Sequence, residues 1–112
     1  MAQPYLSELQ EVLADINVGD TELVCKHFFS GAAAYANGKI VASLSPKGLA
    51  FKLSERRCDS VLSEGIAIPL QYFERSPVKR GYVLFPDKEQ LSKSELEEFF
   101  RECVLTSTQN AA

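Results

Sequence analysis

A chain of 112 residues is long enough for one hydrophobic core and too short for two. Apolar residues make up 46% and charged residues 24%, a globular balance that excludes a disordered polymer. The net charge of −3 excludes nucleic-acid binding through bulk charge, leaving only a local basic patch, and no apolar run reaches the roughly 20 residues of a membrane span.

Leu6, Leu9, Val12, Leu13 and Ile16 recur at helical spacing, with Glu8, Glu11 and Asp15 on the other side. This predicts a helix over 4–17, with Pro4 in the first turn and Gly19 free to cap the end. Four strand-like segments follow, at about 25–30, 32–36, 39–44 and 49–53. Asn37-Gly38 separates two of them, and this dipeptide suits a type I′ hairpin turn, whose central residues both need positive φ. Ser45-Pro46-Lys47-Gly48 forms the next turn. An antiparallel meander results. The small residues Ser30, Gly31, Ala32, Ala33 and Ala34 read as close packing of a helix on the sheet, in preference to a shallow binding surface with accessible backbone. His27 reads as a strand residue at the sheet surface.

Ser54 is a plausible N-cap for a short helix carrying Cys58, Val61 and Leu62 on one face, closed by Gly65. Ile66 to Phe73 is strand-like, but Pro69 cannot donate to a ladder and points to an edge, a bulge or a loop. A polar connection leads to a strand at 81–85. Ser92 and Glu95 form a capping box, flanked by Leu91 and Leu96 as a hydrophobic staple. Leu96, Phe99, Phe100, Cys103 and Val104 then trace the apolar stripe of a last helix to about 105. Residues 106–112 are polar and small and read as a frayed tail. The order helix, four strands, helix, two strands, helix predicts an α+β fold in one domain, 1–112. It has two layers: one antiparallel sheet of five to six strands, with helices packed on one face.

The cysteines, Cys25, Cys58 and Cys103, are odd in number and lack C-x-x-C spacing, which argues against a zinc site or a disulfide framework. They read as reduced thiols of a cytoplasmic protein, a compartment also implied by an N-terminus without signal-peptide character. No Ser/His/Asp or Cys/His arrangement, P-loop or metal set appears, so the chain reads as non-enzymatic and without a cofactor. Cys25 beside Lys26 and His27 is the best candidate for a reactive thiol, because cationic neighbours favour the thiolate.

Several of these residues resemble the N-terminal domain of the TfoX/Sxy family of bacterial competence regulators. Phe28-Phe29-Ser30-Gly31 stands at the start of that family's glycine-rich pattern, with Ser30 and Ala33 where the pattern has glycine. Asn37-Gly38-Lys39 stands at its turn, Ala42 follows, and Leu49-Ala50-Phe51-Lys52 stands at its last strand. Gly65 resembles the family's glycine after the second helix, and Tyr82 to Pro86 resembles its Tyr-x-x-x-Pro. The similarity runs over roughly 5–105. It implies a two-layer α+β fold and a regulatory or interaction module like the stand-alone members.

Two functions are therefore expected. The first is a cytoplasmic module, monomer or homodimer, that engages a protein partner and contacts neither membrane nor duplex DNA tightly. The second is small-molecule or anion binding through Lys52, Arg56 and Arg57, and through Arg75, Lys79 and Arg80, since such clusters hold phosphate or carboxylate.

Overall fold

The computed structural model describes residues 4–28, 31–71 and 79–109, with Lys79, Arg80 and Gln109 described in backbone alone. Along the chain run α1 (Pro4–Ala14), β1 (Leu23–Phe28), β2 (Gly31–Ala36), β3 (Lys39–Ser45) and β4 (Gly48–Lys52). Then come α2 (Glu55–Ser63), β5 (Ile68–Leu70), β6 (Lys79–Phe85), a 3-10 turn at Lys88–Gln90 and α3 (Lys93–Gln109). The strands form one sheet in the order β1-β2-β3-β4-β6-β5, and every neighbouring pair is antiparallel.

Among the described residues, the helices α1, α2 and α3 cover the same face. Leu9 of α1, Cys58 and Val61 of α2, and Phe99, Phe100, Cys103 and Val104 of α3 share one buried cluster with Ala32, Ala34, Ala36, Leu44, Leu49, Phe51, Val83 and Phe85 of the sheet. Alternation along each strand sends the intervening residues to the second face. There Ala50, Leu70, Tyr82 and Leu84 form a smaller buried cluster, with Ile40 packed against it. The alanine run divides accordingly. Ala32 and Ala34 pack under the helices, and Ala33, in register with Lys26 and Ser43, takes the second face.

Local chemistry places the boundaries. Asn37 and Gly38 have φ of 53° and 81°, both positive as the tight hairpin requires. Past this turn Ala34 pairs with Ala42 but Tyr35 pairs with Ile40, so Val41 is an extra residue in β3. The bulge sends both Val41 and Ala42 to the helical side. The Ser54 hydroxyl accepts from the Arg57 N–H at 3.2 Å and caps α2. The Glu95 N–H donates to the Ser92 hydroxyl at 3.1 Å, and the Ser92 N–H donates to the Glu95 carboxylate at 2.8 Å, completing the capping box. Pro69 lies in the edge strand β5, beside a register shift.

Several boundaries differ from expectation: β6 begins at Lys79 rather than at 81, and β5 covers Ile68–Leu70 within the strand-like run expected over 66–73. α1 stops at Ala14 rather than at 17. The Asn17 side chain accepts from the Gly19 N–H at 2.8 Å in an Asx turn. The Asn17 N–H donates to Glu97, and its C=O accepts from Arg101 at 2.7 Å, so α3 takes the backbone groups that would extend the helix. β1 begins at Leu23 rather than at 25, because Ala36, the last residue before the turn, pairs with Leu23. α3 continues to Gln109 rather than fraying at 106. Thr106 and Ser107 are buried, and the Ser107 and Thr108 hydroxyls donate to the carbonyls of Val104 and Leu105. The Ser107 hydroxyl thus satisfies itself within the helix, so this side chain can sit against the core, whereas Thr108 is exposed.

Candidate functional site

The helix-free face of the β1–β2–β3 corner carries a partly open groove of roughly 420 Å³, lined by Glu22, Val24, Lys26, Tyr35, Asn37 and Gly38. Strand parity assembles it. Val24 and Lys26 of β1, and Glu22 directly before it, alternate onto one face, whereas Leu23 and Cys25 turn to the helical core. Tyr35 pairs directly with Val24, and the Lys26 ammonium lies 5.5 Å from the centre of the Tyr35 ring. Val24 is 45% exposed, one of the few large apolar side chains left to solvent among the described residues. The groove thus combines an aromatic floor, an apolar side chain, one cation, one anion and the backbone of the hairpin tip. It lacks the depth and convergent polar groups of a small-molecule cavity.

The family-motif residues divide between this groove and the scaffold. Asn37 and Gly38 line the groove. Lys39 donates from its ammonium to the Ser107 carbonyl at 3.4 Å, tying the hairpin to the last turn of α3, where carbonyls lack helical partners. Gly31 is buried and pairs with Phe28. A Cβ there would overlap the Leu44 carbonyl oxygen and lie 2.9 Å from the Ser45 Cα. Lys52 pairs with Tyr82 in the β4–β6 ladder, Tyr82 is buried, and Pro86 is exposed just past β6. Phe29 lies outside the described residues.

Of the two basic clusters, the first is partly engaged within the fold. The Arg57 Nε donates to Glu102 at 2.8 Å, a second guanidinium nitrogen lies 3.7 Å from Glu98, and the guanidinium sits 5.2 Å from the Phe99 ring. Arg57 therefore locks α2 to α3. Arg56 is exposed on α2. Arg75 lies outside the described residues, and of Lys79 and Arg80 only the backbone, in β6, is described.

Burial pushes the thiols of Cys25 and Cys58 up, and that of Cys103 well up, from their ordinary values. The expected activation of Cys25 is therefore reversed. Its side chain packs toward the core, while Lys26 turns to the opposite face, and desolvation disfavours the thiolate. Among the described residues no group of His, Cys, Asp and Glu could hold a metal ion, and no helix is long and apolar enough to cross a membrane.

What this fold and surface define is an α+β domain with a helix-covered core and a shallow polar–aromatic groove beside an edge strand. The family model of the TfoX N-terminal domain matches residues 13–106, most of the chain, and the chain belongs to that family. No curated protein and no solved structure matches it.

The Asn37-Gly38 turn is readable from sequence, but the grouping of Glu22, Val24, Lys26 and Tyr35 is not. Its only local signal is the alternation of Glu22, Val24 and Lys26 along the start of β1 and the residue before it. Tyr35 joins them through the β1–β2 register, which local sequence does not specify.

Proposed function

We propose that this chain is a non-enzymatic, cytoplasmic regulatory domain that acts by docking a protein partner, in competence or transcription control. The observation that carries the reading is the groove at the β1–β2–β3 corner, where the hairpin motif of the family meets an exposed Val24 and a Lys26–Tyr35 pair. Tyrosine is among the side chains that dominate protein interfaces when desolvated, and Tyr35 is the one this groove offers. The membership of the TfoX N-terminal domain family supports a regulatory role. The test is affinity capture from cell extract with the whole chain and with Tyr35→Ala, which removes the groove floor and leaves the backbone ladder in place. A partner retained by the parent and lost with Tyr35→Ala is expected. A partner held equally by both would place docking elsewhere.

Direct contact with duplex DNA is not part of this reading. DNA affinity needs clustered cations free to meet phosphates. The outer face of α3 instead carries Glu97, Glu98 and Glu102, with Arg101 bonded to the Asn17 carbonyl. Arg57 is held by carboxylates. No binding tighter than about 10⁻⁵ M at physiological salt is expected, within the range of weak non-specific contacts. A fluorescence-anisotropy titration checks this. Sub-micromolar, steeply salt-dependent binding would refute it.

A further inference from the structure

β1 is the outermost strand on its side of the sheet, and its backbone pattern follows from the hairpin beside it. The two-residue turn makes Ala36 and Lys39 a hydrogen-bonded closing pair between β2 and β3. Backbone direction alternates along β2, so Ala33 and Tyr35 point their N–H and C=O at β1, where they meet Lys26 and Val24. The N–H and C=O groups of Leu23, Cys25 and His27 consequently point away from the sheet. Such an edge is a template for another strand. The opposite edge, β5, is short and interrupted by Pro69 and a register shift. β1 has neither proline nor bulge, and its one guard is Lys26.

We infer that β1 pairs antiparallel with β1 of a second copy of this chain, about a two-fold axis at Val24, joining the two sheets into one. Paired residues must lie on the same sheet face, so the axis passes through a residue and not between two. An axis at Lys26 sets that lysine against its own copy. An axis at Cys25 sets Lys26 against Val24 and Glu22 against Phe28. An axis at Leu23 sets Lys26 against Asp20, a turn residue three positions before β1, whereas Glu22 directly precedes the strand. The axis at Val24 sets Glu22 of each copy against Lys26 of the other, on the face where both line the groove. It sets the exposed Val24 against itself and, on the helical face, Leu23 against Cys25. Backbone bonds then form between Leu23 and Cys25, whose groups point outward. A lysine on an edge strand discourages unmatched partners, and Glu22 of the second copy removes that penalty in this register. The two grooves come to lie side by side across the seam. The inference stands on the strand edge and its charges, independently of any third-party partner.

The test is sedimentation velocity of the whole chain over a concentration series, with charge swaps. The parent is expected to reach twice the chain mass. Glu22→Lys alone, or Lys26→Glu alone, turns two attractive cross-strand pairs into two repulsive ones and is expected to raise the dissociation constant at least about tenfold. The double variant Glu22→Lys/Lys26→Glu reverses both signs and is expected to restore the parent constant. Both residues are exposed, so thermal unfolding at low concentration should match the parent and separate association from folding. A parent that stays monomeric throughout, a dimer indifferent to the single swaps, or a double variant as weak as the singles would each overturn the inference.

Discussion

Phe51→Ala is expected to cost about 3–5 kcal/mol of folding stability, the range for truncating a fully buried phenylalanine. Phe51 has no exposed surface and sits at the middle of the aromatic cluster. Its ring meets Phe85 edge-on at 5.9 Å, stacks on Phe99 at 5.3 Å and meets Phe100 edge-on at 5.0 Å. One side chain thus joins β4, β6 and α3, and its loss opens a cavity that no single neighbour can fill without abandoning another contact. Domains of this size are stable by about 5–15 kcal/mol, so the loss is a large fraction of the total. At roughly 4–5 °C per kcal/mol near this length, the melting temperature should fall by about 12–25 °C. Val24→Ala provides the contrast, since an exposed substitution should stay within about 0.5 kcal/mol. Urea unfolding of both variants decides the matter. A Phe51→Ala protein that melts within two degrees of the parent would show that the cluster does not hold the layers together.

How much of this was legible in the sequence depends on the range of the interaction that decides each feature. The capping box of α3 was legible because Ser92 and Glu95 solve each other's hydrogen-bonding problem three residues apart. The type I′ turn was legible because positive φ at Asn37 and Gly38 is a property of those two residues. The last turns of α3 were not, because their polarity suggested fraying. At Ser107 the hydroxyl bonds back to the Val104 carbonyl, and Lys39, 68 positions away, reaches the Ser107 carbonyl. The apolar stripe of α3 identified Phe99 and Phe100, and both are buried. It could not identify Phe51 as the residue they converge on, because Leu49 to Lys52 does not state which parity faces the helices. Strand order was hidden for the same reason. Pro69 pointed to an edge, a bulge or a loop, but only pairing shows that it lies in the edge strand β5 and that β6 enters between β4 and β5. The groove lies between these cases: its hairpin tip is local chemistry, and its Tyr35 floor is register.

Gly48→Ala is the other substitution expected to do severe damage, and comparison with two other glycines separates its causes. Gly48 opens β4 at φ of 132°, a conformation that side chains with a Cβ avoid. It also lies against the end of β6. A Cβ there would overlap the Phe85 carbonyl oxygen and stand 2.8 Å from the Pro86 Cα, and both are backbone atoms that cannot rotate away. Backbone strain costs of order 1–3 kcal/mol, and overpacking typically adds about the same, so a loss of about 2–6 kcal/mol is expected. Gly38 has positive φ but nothing within 4 Å of an added Cβ, so Gly38→Ala should show the strain alone, at about 1–2 kcal/mol. Gly31 shows the overlap alone, because its Cβ would meet the Leu44 carbonyl oxygen although its φ is not positive. The expected order of stability in chemical denaturation is therefore Gly38→Ala above Gly31→Ala above Gly48→Ala. Equal losses at Gly38 and Gly48 would mean that β6 gives way to the added methyl group and that Gly48 is required for its φ alone. The expected order would instead mark Gly31 and Gly48 as the points where neighbouring backbones pass too closely for any other residue. Both points lie at the end of the sheet away from the Asn37-Gly38 turn, so they fix the register from the side opposite the groove.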